Sequence, residues 1–136
     1  MGMNLKDTSE TYAYLIKELN ARRIAYIQVT RYWALGDPVK RGTDVDIFQW
    51  RSLINSQHTA FFVNTDYDNK QGAEALSAGA ADAIVFGRFY IANPDLAERL
   101  INNQELNTNF DMKKFYGGGA KGYTDYPTYR EQQKLK

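Results

Sequence analysis

Three short apolar runs, each closed by turn-forming residues and followed by a helical pattern, constrain this chain more than any other feature. They are Ile24-Ala25-Tyr26-Ile27-Gln28-Val29-Thr30, Thr59-Ala60-Phe61-Phe62-Val63-Asn64 and Ala83-Ile84-Val85-Phe86. Mostly apolar rather than strictly alternating, the first two read as strands buried on both faces. Strands alternating with helices predict a parallel α/β sheet with right-handed crossovers. Ligands of such sheets gather at the carboxyl ends of the strands. Those ends are Thr30-Arg31-Tyr32-Trp33, Asn64-Thr65-Asp66-Tyr67 and Phe86-Gly87-Arg88-Phe89, which together would make one rim.

The helices follow from spacing and caps. Asp7 and Glu10 form a capping-box pair before Tyr12, Leu15, Ile16 and Leu19, which recur at helical intervals. After a long loop from Arg31 to Gly42, broken by Gly36 and Pro38, Thr43 or Asp44 would cap a second helix. It carries Ile47, Trp50, Arg51 and Ile54 on one face. Arg51 there would lay its stem on the core and keep its charge outside. A short Ala-rich helix spans Lys70 to Ser77 and ends at Gly79. A fourth would start at Asn93, with Pro94 at its first position, and run to about Asn102 with Leu96, Leu100 and Ile101 inward.

Gly87-Arg88 is the leading candidate site. Glycine lets a ligand approach the backbone, and the guanidinium fork matches phosphate oxygens two at a time. The bland alternative is a tight turn with a solvated Arg. Arg31-Tyr32-Trp33 could touch a ligand or simply pack as a loop. Asp44 and Asp46 could be paired acid–base carboxylates, but a helix start favours capping and dipole roles. His58 precedes a strand on the side away from the rim and receives no function. Gly117-Gly118-Gly119 lacks the Lys-Ser or Lys-Thr of a nucleotide-binding loop and reads as a turn.

Composition excludes several function classes. Seventeen basic and 16 acidic residues give a net charge of +1, without charge blocks, which argues against a nucleic-acid surface or a polybasic membrane anchor. With no cysteine and one histidine there is no disulfide, thiolate chemistry, Cys-based metal site or His cluster, and no metal is expected. No run approaches the roughly 20 apolar residues of a membrane span, and no signal peptide precedes the first helix, so a cytoplasmic protein is expected. At 136 residues the length suits one domain. Aromatics crowd the last third, in Phe115-Tyr116 and Tyr123-Thr124-Asp125-Tyr126-Pro127-Thr128-Tyr129. This predicts an irregular but docked extension ending in a short charged helix from about Thr128.

Gly87-Arg88-Phe89-Tyr90-Ile91-Ala92-Asn93-Pro94-Asp95-Leu96, with the later Phe115-Tyr116 and Gly122-Tyr123-Thr124-Asp125-Tyr126-Pro127, resembles the Old Yellow Enzyme family. Tyr14 to Leu19, Ala25-Tyr26-Ile27 and Ala73 to Leu76 follow the same family more loosely. The resemblance covers essentially the whole chain, but only the C-terminal part of a family member. It implies a partial TIM (β/α)8 barrel: about three βα units over residues 1–102, then an extension over 103–136 docked on them. A complete barrel takes about 250 residues.

The family consists of FMN-dependent NADH:flavin oxidoreductases, or ene-reductases, with NAD(P)H as co-substrate and activated alkenes as acceptors. Its early strands, which carry the ring-binding, substrate-binding and proton-donating residues, have no counterpart here, so the resemblance assigns no catalytic residue. It implies that Gly87 and Arg88 hold the FMN phosphate, joined by backbone at Asn64, Thr65 and Asp66, where the family is usually glycine-rich. Asp66 is a departure. A carboxylate about 4 Å from a phosphate costs on the order of 4 kcal/mol per pair of unit charges at a surface-like dielectric. One backbone hydrogen bond returns on the order of 1 kcal/mol. Val85 is a second departure, at a common glycine position. Tyr116 matches an aromatic at the active-site mouth and would stack on flavin or substrate, or else pack in the core. The alternative function is a non-catalytic or truncated family member, a start at Met1-Gly2-Met3 before a mid-barrel helix being consistent with truncation. It would bind a phosphate ligand or a partner, either a complementary barrel chain or a second copy.

Overall fold

The structure, a computed structural model, describes residues 5–32 and 44–134. Trp33, the breakers Gly36, Pro38 and Gly42, and the candidate cap Thr43 lie outside them. The chain divides into two compact units, residues 1–85 and 86–136.

In the first unit, helix α1 (Leu5–Ala21) already includes Leu5, so Asp7 sits within its first turn rather than capping it. A carboxylate there still favours the helix dipole. Of the expected inward face, Ile16 is buried while Tyr12 and Leu15 stay exposed. Tyr12 lies against Trp50, with ring centroids 5.6 Å apart, and the Trp50 Nε1–H donates to the Ser9 carbonyl at 3.3 Å.

Strand β1 (Tyr26–Thr30) corrects the expectation of two buried faces: Ile27 is buried, but Tyr26, Gln28 and Thr30 are exposed. The polar Gln28 and Thr30 carry the alternation that the apolar run had masked. The next element is a 3-10 helix, Ile47–Leu53, capped not by Asp44 but by Asp46, whose Oδ1 accepts the Phe48 N–H at 3.0 Å. Ile47 and Trp50, three apart, both reach the core, which suits three residues per turn. Strand β2 (Ala60–Asn64) buries Phe61 and Val63 completely and leaves alternate residues half-covered. Helix α2 (Asn69–Ser77) starts where Asp68 Oδ1 accepts the Gln71 N–H at 2.7 Å, and Gly79 (φ +64°) follows its end. Strand β3 (Ala83–Val85) stops one residue before Phe86.

The strands form a parallel sheet in the order β1-β2-β3. One face carries Ile27, Phe61 and Val63 into the core. Register places Gln28, Phe62 and Ala83 side by side on the other, then Thr30, Asn64 and Val85. Arg51 fastens the amino end of this sheet. Its two terminal nitrogens meet both Asp82 oxygens at 2.9 and 2.8 Å, and its Nε–H donates to the Gly79 carbonyl at 3.2 Å. Asp82 Oδ2 also accepts the N–H of fully buried Phe61 at 2.7 Å.

The second unit holds α3 (Arg88–Ala92), α4 (Leu96–Ile101) and α5 (Tyr129–Lys134). The helix expected from Asn93 starts instead at Leu96, and Asn93 closes α3. Its side chain is engaged elsewhere: Nδ2 donates to the Phe89 and Asn107 carbonyls, and Oδ1 accepts the Asn107 N–H at 2.7 Å. A side chain saturated by a distant segment cannot cap the next turn. Leu96 faces inward as expected, but Ile101 is 79% exposed.

The C-terminal segment packs onto these helices through an aromatic row. Phe89 meets Phe110 edge-on at 6.2 Å, and Phe110 stacks on Phe115 at 5.5 Å. Helix α5 begins at Tyr129, close to the expected start, just after Thr128, whose N–H and hydroxyl both donate to Glu131 Oε2. No helix among the described residues is long and apolar enough to cross a membrane.

Candidate functional site

The carboxyl ends of β1 and β2 carry two of the expected rim segments within one unit. Parallel pairing puts Thr30 opposite Asn64, and the Arg31 N–H extends that ladder by donating to the Asn64 carbonyl at 3.2 Å. Asn64 also ties β2 to β3, its Nδ2 donating to the Val85 carbonyl at 2.5 Å. Thr65 and Asp66 follow at once with left-handed backbone, φ +85° and +61°. This region suits glycine and strains a β-branched residue. The Thr65 hydroxyl turns back to Asn64 Oδ1 at 3.2 Å.

Beside this turn Tyr67 is buried, and Arg31 lies over its ring with the guanidinium carbon 4.3 Å from the centroid. Arg31 Nη2 donates to the Asp66 carbonyl and, at 3.3 Å, to Gln71 Oε1. Burial pushes the Tyr67 phenol above its ordinary pKa and the Asp46 carboxylate adds to this, while Arg31 opposes it. The hydroxyl itself is buried without a hydrogen-bond partner among the described residues. The sequence had offered Arg31 as a rim residue but gave no sign of this stack, because neither the left-handed turn nor the burial of Tyr67 is legible in residue spacing.

Gly87 and Arg88 stand in the second unit, two and three residues past the end of β3, where Gly87 opens α3. Gly87 has φ −105°, which any residue adopts, and a Cβ built there meets no atom within 4 Å. Neither backbone nor packing therefore requires glycine at this position. Arg88 is half-buried. Tyr116 is 88% exposed, so of its two readings core packing does not hold; its neighbour Phe115 is the buried member of the pair. Asp46 serves as a cap, as a helix start favoured. His58 Nδ1 lies 2.8 Å from the buried Thr59 hydroxyl, which donates to the Ile24 carbonyl.

No family model matches the chain. Among known proteins it is 35% identical over 124 residues to a Leishmania infantum protein named "Probable flavin mononucleotide-dependent alkene reductase", covering 90% of this chain and 31% of that one. Against rice 12-oxophytodienoate reductase 7 the identity is 36% over 124 residues, with 83% and 31% covered. The fold superposes on the old yellow enzyme of Trypanosoma cruzi with a TM-score of 0.72 at 30% identity, over 86% of this chain and 29% of that structure. This chain belongs to the Old Yellow Enzyme family. Morphinone reductase agrees, with a TM-score of 0.71 at 33% identity over 88% of this chain and 31% of its own. The chain thus spans about a third of the Old Yellow Enzyme relatives it matches. Its three-stranded parallel sheet is consistent with part of their barrel.

Proposed function

We propose that this chain forms the phosphate-binding end of an FMN-dependent Old Yellow Enzyme barrel, its C-terminal βα units together with the extension over 103–136. The observation that carries the reading is Gly87-Arg88 past the end of β3. Nothing among the described residues calls for that glycine, and the approach of an external group would explain it. Arg88 would pair with the phosphate oxygens, and by resemblance to the family the backbone at Thr65 and Asp66 would also serve a phosphate. The Gly87 backbone and the Arg88 guanidinium suit a phosphate, whereas the Asp66 carboxylate is unfavourable to one. Tyr116, exposed on the extension, would stack on flavin or substrate.

Bound there, the flavin would supply hydride relay from NAD(P)H to an electron-poor alkene. The residues of this chain would hold and orient the cofactor, and none of them is assigned a proton or hydride to move. Recording the 450 nm flavin band of the purified protein, before and after adding FMN, tests this. A protein that stays colourless after FMN addition and desalting contradicts it.

A second reading rests on the open face of the sheet. Tyr26 is 53% exposed and stacks on Phe62 at 4.8 Å, on the face where a barrel places its interior. That face suits further barrel strands, carried by a complementary chain or by a second copy. Size-exclusion chromatography tests the association, and a monomer at all concentrations argues against it.

A further inference from the structure

Arg31 stands on the rim, yet the phosphate reading gives it no task. Its contacts supply one. Its backbone N–H holds the Asn64 carbonyl, its Nη2 holds the Asp66 carbonyl and Gln71 Oε1, and its guanidinium carbon lies over the Tyr67 ring, 4.3 Å from the centroid. One residue thus grips both flanks of Thr65 as well as the residue after Asp66. Tyr67 is 4% exposed, so the cation rests on a fixed platform.

What is gripped is strained. Two consecutive non-glycine residues, one of them β-branched, hold φ +85° and +61°. L-residues avoid this region because Cβ crowds the carbonyl oxygen, and such backbone persists only where its surroundings over-determine it. A glycine pair would adopt it unaided.

The geometry points to Arg31 as a positioning residue that latches Thr65 and Asp66 in left-handed backbone and so presets the β2 side of the rim. That the preset shape serves a phosphate rests on the function proposed above; the latch itself does not. Lysine replaces it only in part, because an ammonium can meet the acceptors that Nη2 meets but offers no planar cation to the Tyr67 ring.

The test compares wild-type protein with Arg31→Gln, with the double variant Thr65→Gly/Asp66→Gly, and with the triple variant. Intraresidue amide–Hα NOEs of residues 65 and 66, strong when φ is near +60°, should weaken in Arg31→Gln. NOEs unchanged in Arg31→Gln overturn the latch. If that variant does not fold, Arg31→Met, which keeps the stem but has neither donor nor charge, should show the same weakening, and unchanged NOEs there overturn it equally. FMN titration followed by flavin fluorescence gives the second readout. Arg31→Gln should weaken binding about tenfold, the equivalent of one charge-assisted hydrogen bond, but less than about threefold in the glycine background. Equal losses in both backgrounds would make Arg31 a direct ligand contact and overturn the proposal. If wild-type protein binds no FMN, the phosphate reading fails, and the NOEs still decide the latch.

Discussion

The two units are built on opposite principles. The first buries aliphatic and aromatic side chains against one face of a sheet: Ile16, Ile27, Ile47, Trp50, Phe61 and Val63. The second, with no strand among its described residues, is organised around buried polar hubs. Arg99 is fully buried in it. Its Nε–H meets Asp95 Oδ1 at 2.7 Å, and its terminal nitrogens donate to the Glu105 and Pro127 carbonyls and to Gln132 Oε1. Asp95 in turn accepts the Tyr129 N–H, so one ion pair fastens both α5 and the segment before it onto α4. A sheet satisfies its own backbone, whereas irregular chain needs side chains to do so. A polar hub therefore stands where a ladder is missing.

That contrast can be broken at four points. Truncating Arg99 to Ala should cost the most, about 3–5 kcal/mol, because it strands a half of a buried pair and several carbonyls. Urea unfolding with hydrogen exchange should show α4 and α5 losing protection while β2 keeps it. Asp82→Ala probes a comparable clamp in the first unit. It leaves the Phe61 N–H buried without a partner and should cost about 2 kcal/mol in the same assay. Thr65→Gly should do the reverse, stabilising by about 1 kcal/mol as strain is released; a lower melting temperature would refute that.

The smallest effect is one of pH. Burial raises the Asp95 carboxyl, but the Tyr129 N–H and Arg99 outweigh it and hold the group below its ordinary value. A depressed carboxyl contributes stability that is present above the unfolded-state pKa of about 3.9 and lost as pH falls below it. Acid unfolding followed by circular dichroism should therefore be flatter in Asp95→Asn than in wild-type protein.

The first unit was the more legible in sequence, for the same physical reason that it differs. Apolar periodicity reports burial, and it located the three strands, Trp50 and the Ala-rich helix. It misjudged β1, because Tyr26 and Ala25 hid the polar alternation of Gln28 and Thr30. The helix start at Asn93 was misread because Asn93, Pro94 and Asp95 have strong local capping preferences. Long-range partners, Asn107 for one and Tyr129 for the other, overrode them. Arg99 shows no signal in spacing beyond its i−4 relation to Asp95. At the site, Gly87-Arg88 was readable as a motif, while the left-handed turn and its Arg31 stack depend on backbone angles that no residue pattern encodes.

The central claim is that Gly87-Arg88 seats a phosphate, and comparing FMN with riboflavin, which lacks that phosphate, tests it most directly. Titrated into the protein, FMN should bind at least about tenfold more tightly than riboflavin, with the gap closing in Arg88→Gln. Equal affinity for the two flavins, or a gap untouched by that substitution, would contradict the account.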